Sequence, residues 1–259
     1  MLRNAKPERS QLSHGRLVCG VVATEHIGAL VAILLFSTAL VAGARLRRGA
    51  WTTTGAGALA LVLVGAEVGW WIYLVTKRST GSELATAFPL QLCDAAIFVA
   101  ALALLFRQQL LVEITYFWAL AGSLQALITP DLTQHFPTFP FFQYYVAHGG
   151  IVAAALFLVV GLRQWPRRGA VVRVAGITIA YVLVVGAVDA ATGANYMYLR
   201  SKPPTSSLFD LMGPWPWYVV WAALLGVALL AILDAPFRFL RLRDRPEPRP
   251  AGAGAEGRT

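Results

Sequence analysis

Long apolar runs, broken at short intervals by basic or proline- and glycine-containing connections, dominate residues 18–235. A run of about 18 or more such residues with few charges reads as a bilayer span. The runs are Val18–Ala42, Thr54–Val75, Pro89–Phe106, Leu110–Ile128, Phe141–Leu162, Val172–Ala190 and Trp215–Leu233. At about 1.5 Å per residue, each would cross a hydrocarbon core of about 30 Å with some tilt. Only Arg107, Gln108 and Gln109 separate the third from the fourth, which predicts a tight helical hairpin. Barrel-like alternation is not visible, and lipid offers no partner to backbone groups outside a helix. The pattern predicts an all-α polytopic membrane protein, with about seven transmembrane helices in one bundle. A polar segment, 1–17, precedes the transmembrane domain, 18–235. The tail Arg241–Thr259 is basic and rich in Pro, Gly and Ala, and is expected to be disordered.

Composition agrees. Hydrophobic residues make up 57% of the 259, charged residues 14%, and mean hydropathy is +0.61, whereas a soluble domain carries roughly 25% charge. The first run is too long for a signal peptide's apolar region, and Arg45, Arg47 and Arg48 follow it at once, so it is expected to remain as a span. The net charge of +9 follows from the connections. One side collects the Arg45–Arg48 loop, Arg107, the Arg163–Arg173 loop and the C-terminal tail, and holds more Lys and Arg than the other. The positive-inside rule then predicts a plasma-membrane protein with its C-terminus cytoplasmic and its N-terminus outside. No basic face with nucleic-acid readers is visible, so membrane lipid is the expected partner. Oligomeric state leaves no signal.

Polar side chains inside a bilayer are costly and are functional candidates by default. Glu25 and His26 open the first span, and Glu67 lies in the second half of the second. Gln91, Cys93 and Asp94 open the third, and Gln125 closes the fourth. Gln143 and His148 open the fifth, Asp189 ends the sixth, and Asn195 follows it. Because spans alternate direction, all of these fall in one half of the membrane. The segregation predicts a polar cavity open to one face, and Cys93 and His148 lie at matching depths. Several of these residues also have ordinary structural uses. The glutamines suit interhelical hydrogen bonds, a lone cysteine suits a small apolar site, and Gly149-Gly150 suits close helix packing.

A thiol beside an imidazole is an acyl-transfer pair once the proton has moved. Gln91 or Asn195 could stabilise an oxyanion, and Asp94, about 100° round the helix from Cys93, would orient a partner. Cys19 and Cys93 form no CxxC, and the four histidines show no metal-ligand spacing, so no metal or cofactor is expected.

Several segments in order carry a family resemblance: Thr24-Glu25-His26, Phe88-Pro89-Leu90-Gln91-Leu92-Cys93-Asp94, and Tyr116–Leu127 running into Thr129-Pro130-Asp131. Then come His148-Gly149-Gly150, Gly193–Tyr198, Lys202-Pro203 and Gly213–Tyr218. Together they resemble the YwaF-like family of bacterial integral membrane proteins, across roughly residues 20 to 235. That family looks related to an animal transmembrane acyltransferase acting on ether phospholipids through a cysteine and a histidine. The resemblance implies Cys93 as nucleophile and His148 as base. More distant relatives are intramembrane fatty-acid-ester hydrolases that use threonine and histidine. The leading expectation is an intramembrane acyltransferase or esterase, with Glu25, His26, Glu67, Gln91, Asp94, Gln125 and Asn195 in support. The alternatives are a transporter or small-molecule-binding protein with that polar cavity, and a structural membrane protein.

Overall fold

A computed structural model describes residues 9–47, 49–77, 88–130, 132, 134–203 and 207–243, with side chains between Thr24 and Arg241. Among the described residues there are seven long helices. They are α1 (Arg9–Leu46), α2 (Ala50–Thr76), α3 (Leu92–Phe106), α4 (Gln109–Ile128), α5 (Phe139–Gly161), α6 (Ala170–Thr192) and α7 (Trp217–Arg243). All but α3 are long and apolar enough to cross a membrane. The chain is a multi-pass helical membrane protein.

The third span is the correction. α3 has 15 residues, about 22 Å at 1.5 Å each, against a core of about 30 Å. Pro89 and Leu90 lie outside the helix, and Asp94 Oδ2 accepts the Gln91 N–H at 3.3 Å, so the helix starts only at Leu92. At its other end Arg107 adopts a left-handed conformation (φ 52°). The chain reverses there and α4 begins two residues later, making the expected hairpin. α1 already starts at Arg9 and α7 runs through Arg243, so each helix takes in part of the segment assigned to a tail. Residues 1–8 and 244–259 lie outside the described residues, as does the side chain of Cys19.

α4 and α5 form the centre. In their most apolar windows 56% and 67% of residues are buried, against 11% in α1 and α6. α3 packs on both, α2 packs on α3 and α5, α6 and α7 pack on α4 and on each other, and α1 lies along α5. Large side chains such as Leu34, Leu61, Val172 and Ile232 point outward and exposed, as lipid-facing positions do. The Gly149-Gly150 pair lets α1 and α2 close on α5. A Cβ on Gly149 would lie 2.6 Å from Ile33, and one on Gly150 would lie 2.8 Å from Leu63. Small residues at such crossings are what permits tight packing where lipid supplies no hydrophobic drive.

Two turns depart from α geometry. Ala119–Ser123 in α4 and Phe157–Gly161 in α5 are π-helical, and such turns occur often at functional sites. In α7, Pro236 has no N–H to give the preceding turn. The missing bond is the one to the Ile232 carbonyl, and at the next residue the hydroxyl of Tyr116 donates to the Leu233 carbonyl at 3.1 Å, tying α4 to α7 at that turn.

Candidate functional site

The polar residues expected in one half of the bundle meet through the ends that carry them. Glu25 on α1 accepts the Phe136 N–H, from the α4–α5 loop, at 3.2 Å. Gln91 accepts the Met197 N–H, from the α6–α7 loop, at 2.9 Å. Tyr181 on α6 donates to the Leu90 carbonyl at 3.0 Å. The loop after α6 is thereby drawn over the start of α3. Within that loop Met197 and Tyr198 are both left-handed, at φ 54° and 56°. Two consecutive non-glycine residues in that region store strain of the kind found at functional sites.

Cys93 occupies the first turn of α3, partly exposed, with Asp94 as its neighbour. Its thiol lies beside Ser123, in the π turn of α4, close enough to interact but outside hydrogen-bond geometry. Ser123 Oγ is buried and has no hydrogen-bond partner. His148 stands on α5, half-buried, with its ring 4.3 Å from that of Tyr144. His148 Nδ1 is 2.9 Å from the Tyr144 carbonyl. A carbonyl only accepts, so Nδ1 carries the proton and the neutral ring keeps Nε2 as its free base nitrogen. The Tyr144 hydroxyl donates to the Ala126 carbonyl at 2.7 Å. Cys93 and the Tyr144–His148 pair are thus both held against one stretch of α4, Ser123 to Ala126. No hydrogen bond joins the thiol to the imidazole in this conformation.

The remaining candidates divide into local groups. His26 Nδ1 meets the Tyr145 hydroxyl at 2.8 Å. Tyr145 and Tyr144 are edge-to-face at 5.4 Å, so a chain of aromatic rings runs from His26 to His148. Glu67, 3% exposed, accepts the Trp71 N–H through Oε1 at 3.1 Å, while Oε2 has no partner. Glu67, Tyr181 and Tyr196 all lie within electrostatic reach of Asp94. Asp94 itself caps its own helix through Gln91 rather than orienting a partner. Gln125 is exposed, and its amide donates to Thr129 Oγ1 of its own helix at 3.2 Å. Asn195 folds the following turn, accepting from the Arg200 and Ser201 amides and donating to Ser201. Asp189 accepts the Tyr196 N–H at 2.9 Å.

The expected single cavity lined by His26, Glu67, Cys93, Gln125 and His148 is not what these contacts build. Each of the five is engaged with a different neighbour. The roomy groove, about 860 Å³, runs between α1, α2 and α5 along most of the bundle, from Glu25 to Leu40 on α1, and has none of the five in its wall. Its wall is Gly28, Ala32, Gly55, Leu59, Gly150 and similar apolar residues, with Glu25 and Tyr145 as polar exceptions. Ser123 and Tyr144 carry no functional signal in the sequence. Ser123 lies inside the Tyr116–Leu127 motif, and nothing in its spacing marks it as the residue facing Cys93.

Comparison with known families gives one match: the profile of the TMEM164 family covers residues 21–234. No curated protein and no solved structure matches the chain.

Proposed function

Starting from the fact that the chain belongs to the TMEM164 family of transmembrane proteins, we propose that it is an intramembrane acyltransferase or esterase acting on lipid acyl esters. The observation that carries this reading is the His148 tautomer: Nδ1 is committed to the Tyr144 carbonyl, leaving Nε2 as a base on a helix packed against that of Cys93. The apolar groove beside α5 supports a lipid substrate, since it offers an acyl chain a wall of small and aliphatic side chains. The resemblance to the YwaF-like family, and through it to an ether-phospholipid acyltransferase, points the same way.

In the proposed reaction the Cys93 thiol gives its proton to His148 Nε2 and its sulfur attacks the ester carbonyl carbon. The tetrahedral intermediate collapses with cleavage of the ester C–O bond. The imidazolium returns its proton to the leaving alkoxide, and a thioester remains on Cys93. A lysolipid hydroxyl or water, deprotonated by the same nitrogen, then attacks the thioester and frees the thiol. Sγ must come closer to Nε2 than in the present conformation, as is common where substrate completes the geometry. Gln91 keeps its amide NH₂ as a donor while its oxygen holds Met197, which suits it to the oxyanion. Glu25, His26, Glu67 and Asn195 act on this reading as supports that fix the outer ends of the helices.

The test is a thiol-reactive lipid-ester probe applied to membranes carrying the full chain. Labelling is expected in the wild type and in Cys19→Ala, and should be absent in Cys93→Ala. Labelling that persists in Cys93→Ala and vanishes in Cys19→Ala would overturn the assignment.

The reading includes an orientation. The C-terminus lies in the cytoplasm of a cell whose plasma membrane holds the protein, with the Cys93 end facing outward. A C-terminal fusion should therefore be fluorescent with a cytoplasm-dependent reporter. Activity only from a reporter that works outside the cytoplasm would invert the orientation and leave the chemistry untouched.

A further inference from the structure

At the opposite end of the bundle from Cys93 a second cleft lies between the start of α6 and the last turns of α7, with a volume of about 440 Å³. We propose that it holds the phosphate of an anionic membrane phospholipid, at a site separate from the acyl-transfer pair. Along α3 the two ends are about 21 Å apart, counting Cys93 to Arg107 at 1.5 Å per residue. Gln164, leading to the start of α6, donates to the Arg107 carbonyl at 3.3 Å, so the cleft belongs to the Arg107 end.

The charged groups in its wall are Arg168, Arg238, Arg241 and Asp234. Asp234 is 3% exposed and takes one edge of each α7 guanidinium: Arg238 Nε at 2.7 Å and Arg241 Nη2 at 2.8 Å. The pairing orients both arginines and leaves each with further N–H donors. Arg168 pairs with no other described side chain, and only its carbonyl is used, by Arg173. The wall therefore carries a net charge of about +2, in the forked donor geometry that suits phosphate. Val171 and Val172 also line it, and as residues of the first turn of a 23-residue helix their amides have no intrahelical acceptor. The neighbouring Glu113 does not neutralise the cleft, because it is already taken by Arg167 and Arg173.

The surroundings select a lipid over a free anion. Val172 in the wall is 76% exposed, and Ile232 and Phe239 on α7 are 65% and 70% exposed. The basic cleft therefore opens directly onto apolar, lipid-facing helix surface. A phosphate anchored there would lay its chains along α6 and α7. Basic pockets between transmembrane helices are suited to such head groups, with each basic residue near the surface worth about 1 kcal/mol.

The test uses the full chain in neutral detergent, titrated with phosphatidylglycerol in mixed micelles and followed by thermal unfolding. Phosphatidylcholine and inorganic phosphate are the two comparison arms. Phosphatidylglycerol is expected to raise the unfolding temperature saturably and phosphatidylcholine is not. Arg168→Gln should weaken the phosphatidylglycerol effect about fivefold, and adding Arg238→Gln should weaken it about fivefold again. Arg168→Lys should keep most of the binding. Arg168→Gln is the decisive variant, since that side chain holds no other described group and its loss leaves the packing intact. An unchanged phosphatidylglycerol titration in Arg168→Gln overturns the site. Equal stabilisation by inorganic phosphate, lost in the same variants, overturns the lipid as its occupant. Neither outcome depends on acyl turnover.

Discussion

Cys93→Ala is expected to lose lipid acyl turnover by at least about 10³-fold, and His148→Ala by about 10²- to 10⁴-fold. The first removes the atom that would carry the acyl group. The second removes the base but leaves the thiol in place. Because the two would act as one unit, the double variant should be little worse than the poorer single variant. The measurement is acyl exchange between defined phospholipids in proteoliposomes, read by mass spectrometry, with Cys19→Ala as the unaffected control. Undiminished exchange in Cys93→Ala would end the nucleophile assignment. Undiminished exchange in His148→Ala alone would leave the thiol in need of another base. Ser123→Ala separates a bystander from a participant. The Ser123 hydroxyl is buried, unbonded and adjacent to the thiol, so a rate change there with unaltered unfolding temperature would mean that it guides the sulfur.

The second large effect is on stability. Glu113 is completely buried in α4, yet it holds three groups from two other parts of the chain. It accepts the Arg167 N–H at 2.9 Å and Arg167 Nε at 2.9 Å. It also accepts Arg173 Nε at 3.1 Å and Arg173 Nη2 at 2.9 Å. The α5–α6 connection and the first turns of α6 are thereby fastened to the central helix. Glu113→Ala leaves both guanidinium groups and a backbone amide without their acceptor. The two arginine side chains are 53% and 37% exposed and water can take them over, so the expected loss is that of the unpaired amide and the broken tie between helices, about 1–3 kcal/mol. Glu113→Gln keeps an acceptor oxygen and should lose roughly half as much. Denaturant unfolding in detergent measures this. An unfolding midpoint for Glu113→Ala that coincides with that of the wild type would contradict it. Acyl exchange per folded molecule should hardly change, because Glu113 lies at the end remote from Cys93.

The number of helices, their order and the depth of each polar residue were legible in the sequence, because these depend only on counting along apolar runs. What counting does not contain is the direction in which each side chain faces. Gln125 sits at the expected depth but turns outward and bonds its own helix. Asp94 is at the right level too, but a carboxylate three residues past Gln91 caps the helix that carries it. Glu113 carries no mark of its role in the sequence, since its two arginine partners lie 54 and 60 positions away. The same holds for Ser123 and Tyr144, whose roles come from which helix they meet. The short third span was hidden because Pro89 and Leu90 read as apolar although the backbone there is not helical.

The π turn at Ala119–Ser123 has a consequence of a different kind. Such a turn holds about one residue more than the α turn it replaces, so the outer part of α4 is out of phase with the inner part by roughly one residue's rotation, about 100°. What stands opposite Cys93 is therefore decided by a length rather than by a side chain. A chain shortened by one residue anywhere in that turn would regain an ordinary helix. It would also swing round the axis together the residue beside Cys93 and the Ala126 carbonyl that anchors Tyr144. The thiol and the imidazole would keep their identities and lose their common support.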